Sequence, residues 1–184
     1  MFKSLDDRDL AARCREGDRM AEDELYRRYA AKIYTLCRRY IRDDEDAKDM
    51  MHDALIKALE KIDTFNYSGD SSLYSWIRRI AINMAVNHIK RHRWRIVTLE
   101  EELLDTNDLI KEENLTAIPL EVLLGWISSL PDVRRAVFNL YCIDGYTHSE
   151  IASMLGISEK GSAGILAQAR KQLKEKIRRY LKEA

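Results

Sequence analysis

Between His88 and Arg95 the chain carries Lys90, Arg91, Arg93 and Arg95 and no acid, a run able to neutralise the phosphates of a nucleic acid. His88 and His92 lie in the same run at i, i+4, the spacing that binds zinc when a glutamate follows the first histidine. Here Ile89 follows and no third ligand is evident, so the pair is expected beside phosphate rather than on a metal. Cys14, Cys37 and Cys142 are odd in number, far apart and without a CxxC pair. They suggest neither a disulfide framework nor a zinc knuckle, and read as reduced thiols used largely for packing. No catalytic residue and no cofactor are expected.

The strongest local signal lies in the second half. Thr147-His148-Ser149-Glu150 has the spacing of a capping box and predicts the start of a short helix that presents Ile151, Ala152 and Leu155. Gly156 can then take the left-handed conformation that ends a helix, and Ser158 can cap a further helix from Glu159 to about Leu181. A small residue at Ala152, a glycine in the turn and apolar Ile151, Leu155 and Ile157 are what a helix-turn-helix needs to fix its angle. Its second helix would insert N-terminal residues in a major groove while later cations meet phosphates.

The elements that position these groups are predicted to be helices throughout. Two prolines and seven glycines in 184 residues leave a composition of helix formers, and an all-α protein follows, with two small helical domains. Leu25, Tyr29, Ile33, Leu36 and Tyr40 form one stripe of a helix over about 21–41. Asp43 or Asp44 can cap the next helix, whose buried face is Ala47, Met51, Ala54, Leu55, Ala58 and Ile62. The Gly, Ser, Asn and Asp content of 65–72 marks a loop, and Ser71 or Ser72 is placed to cap a helix over about 73–92 that buries Leu73, Trp76, Ile77, Ile80, Met84 and Ile89. Further on, Leu120, Leu123, Trp126, Ile127 and Leu130 make an amphipathic stretch. Pro131 suits the first turn of a helix carrying Val133, Ala136, Val137, Leu140 and Tyr141, which stops before Gly145.

The formal net charge is +0 at pH 7, but it is segregated. After the basic run, 100–121 holds eight acids against Lys111 alone, and Lys and Arg return from Arg170 to Lys182. The acidic, weakly periodic stretch 96–118 is read as a linker that joins a domain over 1–95 to a helix-turn-helix domain over 119–184. Its charge could mimic nucleic acid and discourage DNA binding by the free chain. Residues 1–9 carry no apolar core with a cleavage site, and no apolar run is long enough to span a bilayer, so a cytoplasmic chain without membrane insertion is expected.

Over nearly its whole length the chain resembles the extracytoplasmic-function (ECF) sigma factors of bacterial RNA polymerase. Leu130-Pro131-Asp132-Val133-Arg134-Arg135, with the segment from Gly145 to Ser158, looks like the family's promoter −35 domain, and Ala169-Arg170-Lys171-Gln172-Leu173 is similar to its closing motif. Asp46-Ala47-Lys48-Asp49-Met50-Met51-His52-Asp53 resembles the segment that docks on the polymerase clamp helices. There Lys48 replaces an acid and His52 a glutamine. The stretch from Trp76 to Arg91 looks like the helix that reads and melts the −10 element.

That resemblance implies site residues. For polymerase they are Asp46, Asp49, Met50, His52 and Asp53. For −10 DNA they are the loop residues Phe65, Asn66, Tyr67, Ser71 and Ser72, which would hold a flipped base, with Arg79, Asn83, Asn87, Lys90 and Arg91 along the helix. Stacking of this kind contributes roughly 1–3 kcal/mol per base. Aromatics at helical spacing usually pack, however, so Trp76, and Phe65 as well, also read as core. For −35 DNA the candidates are Thr147, Ser158, Lys160, Ser162, Gln168, Arg170 and Lys171. Where the family commonly has Gly-Thr-Val-Lys-Ser-Arg-Leu, this chain has Lys160-Gly161-Ser162-Ala163-Gly164-Ile165-Leu166, so weak intrinsic −35 affinity with backbone and shape readout is expected. The implied partners are RNA polymerase core (clamp helices and flap), promoter DNA and an anti-sigma factor. The rival is a helix-turn-helix regulator that binds an operator without polymerase, and it differs in needing its own DNA affinity.

Overall fold

A computed structural model describes residues 5–93 and 118–183. The described residues are helices and their connections, and the chain divides into two compact units, Met1–Ala85 and Val86–Ala184. The division falls inside a long helix. Most of the expected linker lies outside the described residues, as does Arg95. Ile118, assigned to that linker from the sequence, is buried.

The first unit begins with α1 (Asp7–Arg15) and α2 (Arg19–Tyr40). Asp18 caps α2 by accepting from the amide of Met20 at 2.9 Å, and Leu25, Tyr29, Ile33, Leu36 and Tyr40 are buried as the spacing predicts, joined by Ala21 and Cys37. Each large apolar side chain so buried contributes about 1.5–3 kcal/mol. Helix α3 (Asp44–Glu60) packs against α2 and starts where Asp43 accepts from the amides of Glu45 and Asp46 at 2.9 and 3.0 Å. Asp44, Glu45 and Asp46 place negative charge on its first turn, which complements the helix dipole. A 3-10 turn, Ile62–Thr64, follows.

Helix α1 was not anticipated. Its buried residues are Leu10, Ala11 and Cys14, too few for a periodic signal, and it packs on α2 and the 3-10 turn. It also supplies the cap of α4 (Ser72–Arg93). The amide of Leu73 donates to the carboxylate of Asp7 at 3.2 Å, whereas Ser71 and Ser72 were the expected caps. Ser71 instead takes a left-handed conformation, φ 64°. The same Asp7 accepts from the Tyr29 hydroxyl at 2.7 Å and lies 3.7 Å from the Arg28 guanidinium.

The buried stripe of α4 is also a correction. Leu73, Ile77 and Ile89 are buried as expected, but Trp76, Ile80 and Met84 are half-buried, and Ala81, Ile82, Ala85 and Val86 are buried instead. The two candidate stripes differ by one residue per turn. The face carrying Ala81 and Ala85 allows the closer backbone approach, so shape outweighs the size of the competing side chains.

In the second unit, α5 (Leu120–Ser129) has no buried residue and meets α8 (Glu159–Glu183) through Trp126, edge-on to Tyr180 at 5.6 Å. Helix α6 (Asp132–Phe138) starts after Pro131 and runs into a π turn, Asn139–Ile143. Arg135, 2% exposed, is compensated by Asp132 at 3.0 Å and by the carbonyls of Ser128 and Leu130 at 3.1 and 3.3 Å, which ties α6 to the end of α5. Helices α6 and α7 (His148–Leu155) both pack on α8 around Ala136, Val137, Leu140, Ile151, Leu155, Ile165, Leu166 and Ala169.

Candidate nucleic-acid interface

The α7 and α8 pair is a helix-turn-helix. Thr147 and Glu150 form the capping box: the Thr147 amide donates to the Glu150 carboxylate at 2.8 Å and the Glu150 amide to the Thr147 hydroxyl at 3.2 Å. Gly156 ends α7 at φ 70°, ψ 37°, the left-handed region that glycine enters without penalty. Ser158 caps α8, accepting from the amide of Gly161 at 2.9 Å. The hydroxyls of Thr147 and Ser158 are thus committed to helix ends.

Along α8 the expected contacts separate. Lys160, Arg170 and Lys171 are exposed. Ser162 is fully buried, its hydroxyl 3.0 Å from His148 Nδ1, and Gln168 is half-buried, accepting from Arg134 at 3.2 Å. Arg170 is held over the Tyr141 ring, 5.7 Å from its centroid, with its other contact at the Cys142 sulfur, 3.8 Å away; Tyr141 in turn stacks on His148 at 4.4 Å. The face between Lys160 and Lys171 exposes Ala163 and Gly164. Arg134 and Tyr141, seen in the sequence only as parts of a motif and a core stripe, therefore belong to the polar surroundings of α8.

Along α4, Arg79, Asn83, Asn87 and Arg91 recur every fourth residue and are all exposed, with Lys90 half-buried beside them. Asn66 and Tyr67 are exposed on the preceding loop, and Ser71 with them. Ser72 is half-buried, its hydroxyl 3.4 Å from the amide of Ser68. Tyr67 lies near Asp70, oxygen to oxygen 3.5 Å, and its phenol pKa is raised by partial desolvation and then by that carboxylate. Phe65 is 3% exposed and tilts against Trp76 at 5.5 Å. Its ring faces the core, and the half-buried Trp76 is the more open of the two aromatics.

On α3, Asp46, Asp49, His52 and Asp53 are exposed, while Met50, 9% exposed, faces inward. Lys48 pairs with Asp44 at 2.6 Å, one turn back, and this contact, followed by the Tyr34 hydroxyl, holds the Asp44 carboxyl below the usual carboxylate range. The lysine that interrupts the acidic segment is thereby turned toward Asp44. His52 stacks on Tyr26 at 5.8 Å, with the phenol oxygen 3.2 Å from Nδ1. Ile56, 55% exposed, extends the same face and was missed. Its position three residues after Asp53 was the available signal. A shallow groove of about 430 Å³ opens beside this face, lined by Ala30, Ala31, Tyr34, Lys48 and His52 among others.

The thiols of Cys14 and Cys37 are raised to about 11 and about 12, chiefly by burial, which makes them inert packing groups. Cys142 departs from that expectation and is exposed. Among the described residues no group of three or more His, Cys, Asp or Glu side chains could hold a metal ion, and no helix is long and apolar enough to cross a membrane. The side chain of His92 lies outside the described residues, so the His88 and His92 pair is not placed.

Residues 25–95 match the family described as Sigma-70 region 2, and residues 120–173 match Sigma-70, region 4. The chain is 30% identical to the ECF RNA polymerase sigma-E factor of Escherichia coli (strain K12), over 96% of its own length and 97% of the relative's. It belongs to the ECF RNA polymerase sigma factors. A second relative, the RNA polymerase sigma-H factor of Pseudomonas aeruginosa, is 29% identical over the full length of both chains. A solved structure of CnrH in complex with the cytosolic domain of CnrY covers 92% of this chain and 95% of its own, at 23% identity and a TM-score of 0.48. As a sigma factor the chain works with RNA polymerase at promoter DNA to initiate transcription. The region 2 match begins at residue 25, so α1 precedes it.

Proposed function

We propose that this sigma factor docks on the polymerase clamp helices through the exposed face of α3, captures the melted −10 strand with the loop 65–72 and α4, and holds −35 duplex with α7 and α8 while that unit rests on the polymerase flap. The observation that carries the reading is the row of Arg79, Asn83, Asn87 and Arg91, exposed at every fourth residue of one helix, with Asn66 and Tyr67 exposed on the loop before it. Amides that donate and accept, a phenol ring and two guanidinium groups suit unstacked bases on a phosphate track.

Docking rests on Asp46, Asp49 and Asp53, with His52 on its Tyr26 stack and Ile56 as an apolar centre. Met50 supports that helix from the core side. At the −35 element, Lys160, Arg170 and Lys171 supply charge, whereas Ala163 and Gly164 supply little that could hydrogen-bond a base edge, so phosphate and shape readout dominate. With a formal net charge of +0, the free chain has little to drive non-specific DNA binding, and polymerase contributes most of the affinity. The factor catalyses no reaction itself, acts in the cytoplasm and, as the family resemblance implies, is held in check by an anti-sigma factor.

Run-off transcription with bacterial core polymerase on a pool of promoter fragments from the source genome tests the reading. Specific new transcripts that appear only with the factor support it. Absence of both transcripts and core binding would favour the polymerase-independent regulator.

A further inference from the structure

The loop 65–72 has few means of holding its own shape. Asn66, Tyr67, Ser68, Asp70 and Ser71 are exposed, Gly69 and Ser71 have positive φ (118° and 64°), and the internal hydrogen bonds are long: from the Ser72 amide to the Gly69 carbonyl at 3.2 Å, from the Ser68 amide to the Ser72 hydroxyl at 3.4 Å and from the Tyr67 hydroxyl to Asp70 at 3.5 Å. A segment of this kind loses conformational entropy when it closes on a base, which weakens capture unless something fixes it beforehand.

Both of its ends are gripped by α1. At the entry, Arg15 donates from Nε to the carbonyl of Ile62 at 3.2 Å and from a terminal nitrogen to the carbonyl of Phe65. At the exit, Asp7 accepts from the amide of Leu73 at 3.2 Å. Asp7 and Arg15 are the first and last residues of α1, so a rigid rod of about 12 Å sets the spacing between the two grips. The rod is itself fixed: Leu10 and Ala11 are fully buried, and Asp7 is tied to the Tyr29 hydroxyl at 2.7 Å. Asp6 and Asp7 lie close enough to Tyr67 to add, after desolvation and Asp70, to the upward shift of its phenol.

We infer that α1 is a brace for the −10 loop, and that Asp7 and Arg15 are positioning residues which set base discrimination at the −10 element without touching DNA. The inference rests on the reading of the loop 65–72 as the part that meets the melted strand. An aspartate at the N-terminus of α4 suits the role because its charge complements the amides there. An arginine at the other end suits it because its planar fork presents two N–H groups in fixed geometry to the two carbonyls, whereas the ammonium of a lysine rotates freely on a flexible stem.

The test uses the full-length chain assembled with core polymerase. Rates of open-complex formation are compared on promoters that differ at single −10 bases, alongside core affinity and thermal unfolding of the free factor. Asp7→Ala and Arg15→Ala are expected to lower the ratio between preferred and disfavoured bases by about fivefold, the worth of one lost hydrogen bond, with core affinity and −35 preference held within about twofold. Asp7→Asn, which keeps an acceptor oxygen, should retain most of the discrimination, and Arg15→Lys an intermediate share.

A role confined to stability would depress all promoters alike and leave the base ratio unchanged, and that result would overturn the inference. If Asp7→Ala does not fold, Arg15→Ala decides, since it removes no buried apolar group. Tyr67→Ala separates the two levels. A changed base ratio in Tyr67→Ala with unchanged ratios in both brace variants rejects the brace and leaves the loop reading standing. Unchanged ratios in all three variants reject the loop reading and the brace with it.

Discussion

His148 Nδ1 lies 3.0 Å from the hydroxyl of Ser162, linking the first residue of α7 to the fourth residue of α8 across the helix-turn-helix. The contact turns Ser162 away from solvent, where it is fully buried. It also holds His148 against Tyr141, over which Arg170 sits. A residue placed by resemblance in the DNA-contacting set is therefore, by position, a link between the two helices that present the set.

Ser162→Ala is accordingly expected to destabilise the chain by about 1 kcal/mol, the net value of a hydrogen bond, and to leave the order of preference among −35 sequences unchanged. Thermal unfolding and promoter competition by the holoenzyme measure the two effects. A change in −35 base preference without loss of stability would return Ser162 to the DNA surface.

Phe65 and Tyr67, two residues apart, should part company in the same way. Phe65→Ala opens a cavity against Trp76 and should destabilise the fold by roughly 3–5 kcal/mol. Tyr67→Ala removes an exposed ring, with stability expected within about 0.5 kcal/mol of the parent, but slows strand capture by roughly 1–3 kcal/mol of lost stacking. Unfolding curves paired with permanganate footprinting of the melted −10 strand distinguish them. Equal loss of stability in both variants would contradict the assignment.

For docking, Asp49→Lys and Asp53→Lys put positive charge on the exposed face of α3 and are expected to weaken core-polymerase binding by about tenfold or more, increasingly so at low salt. Met50→Leu conserves volume at an inward position, so it should change stability by less than about 1.5 kcal/mol and docking by less than about twofold. Titration of labelled factor with core polymerase reads both. A strong docking loss in Met50→Leu with the charge reversals silent would move the interface off this face.

At alkaline pH the Tyr29 phenol is raised well above its ordinary value of about 10, by burial first and then by its hydrogen bond to Asp7. A group whose pKa is raised by folding stabilises the native state below the unfolded pKa and loses that contribution as pH rises toward the folded one. Stability should therefore fall above about pH 10 from Tyr29, and from about pH 9 from Cys37 and Cys14, whose thiols burial raises to about 12 and about 11. Tyr29→Phe should flatten the part of the decline that starts near pH 10 and lose about 1 kcal/mol at neutral pH with the hydrogen bond to Asp7. Denaturant titrations between pH 7 and 11 would expose an unaltered slope if Tyr29 carries no such linkage.

Much of this was legible because helical period, caps and turn residues act locally. The stripe from Leu25 to Tyr40, the Asp43 cap and the Thr147 capping box depend on residues within a turn or two of one another, and each lies where the spacing places it. What was missed depends on partners remote in sequence. Helix α1 has three buried residues and is recognisable through what it touches, which includes Tyr29 on α2 and, about fifty to sixty-six positions away, Ile62, Phe65 and Leu73. On α4 the choice between the Trp76 stripe and the Ala81 stripe was made by neighbouring helices, not by hydrophobicity. Ser162 reads as polar and exposed until His148 is brought to it. Asn83, Asn87 and Arg91, by contrast, lie in a row that helical geometry alone keeps together.

This factor is expected to recognise promoters through polymerase and not by itself. Retardation of a labelled promoter fragment by the full-length factor, with and without core polymerase, tests it most directly. No sequence-specific complex is expected with the factor alone, and a specific, salt-sensitive complex once core is added. Tight, specific retardation by the free factor, unaffected by core, would contradict it.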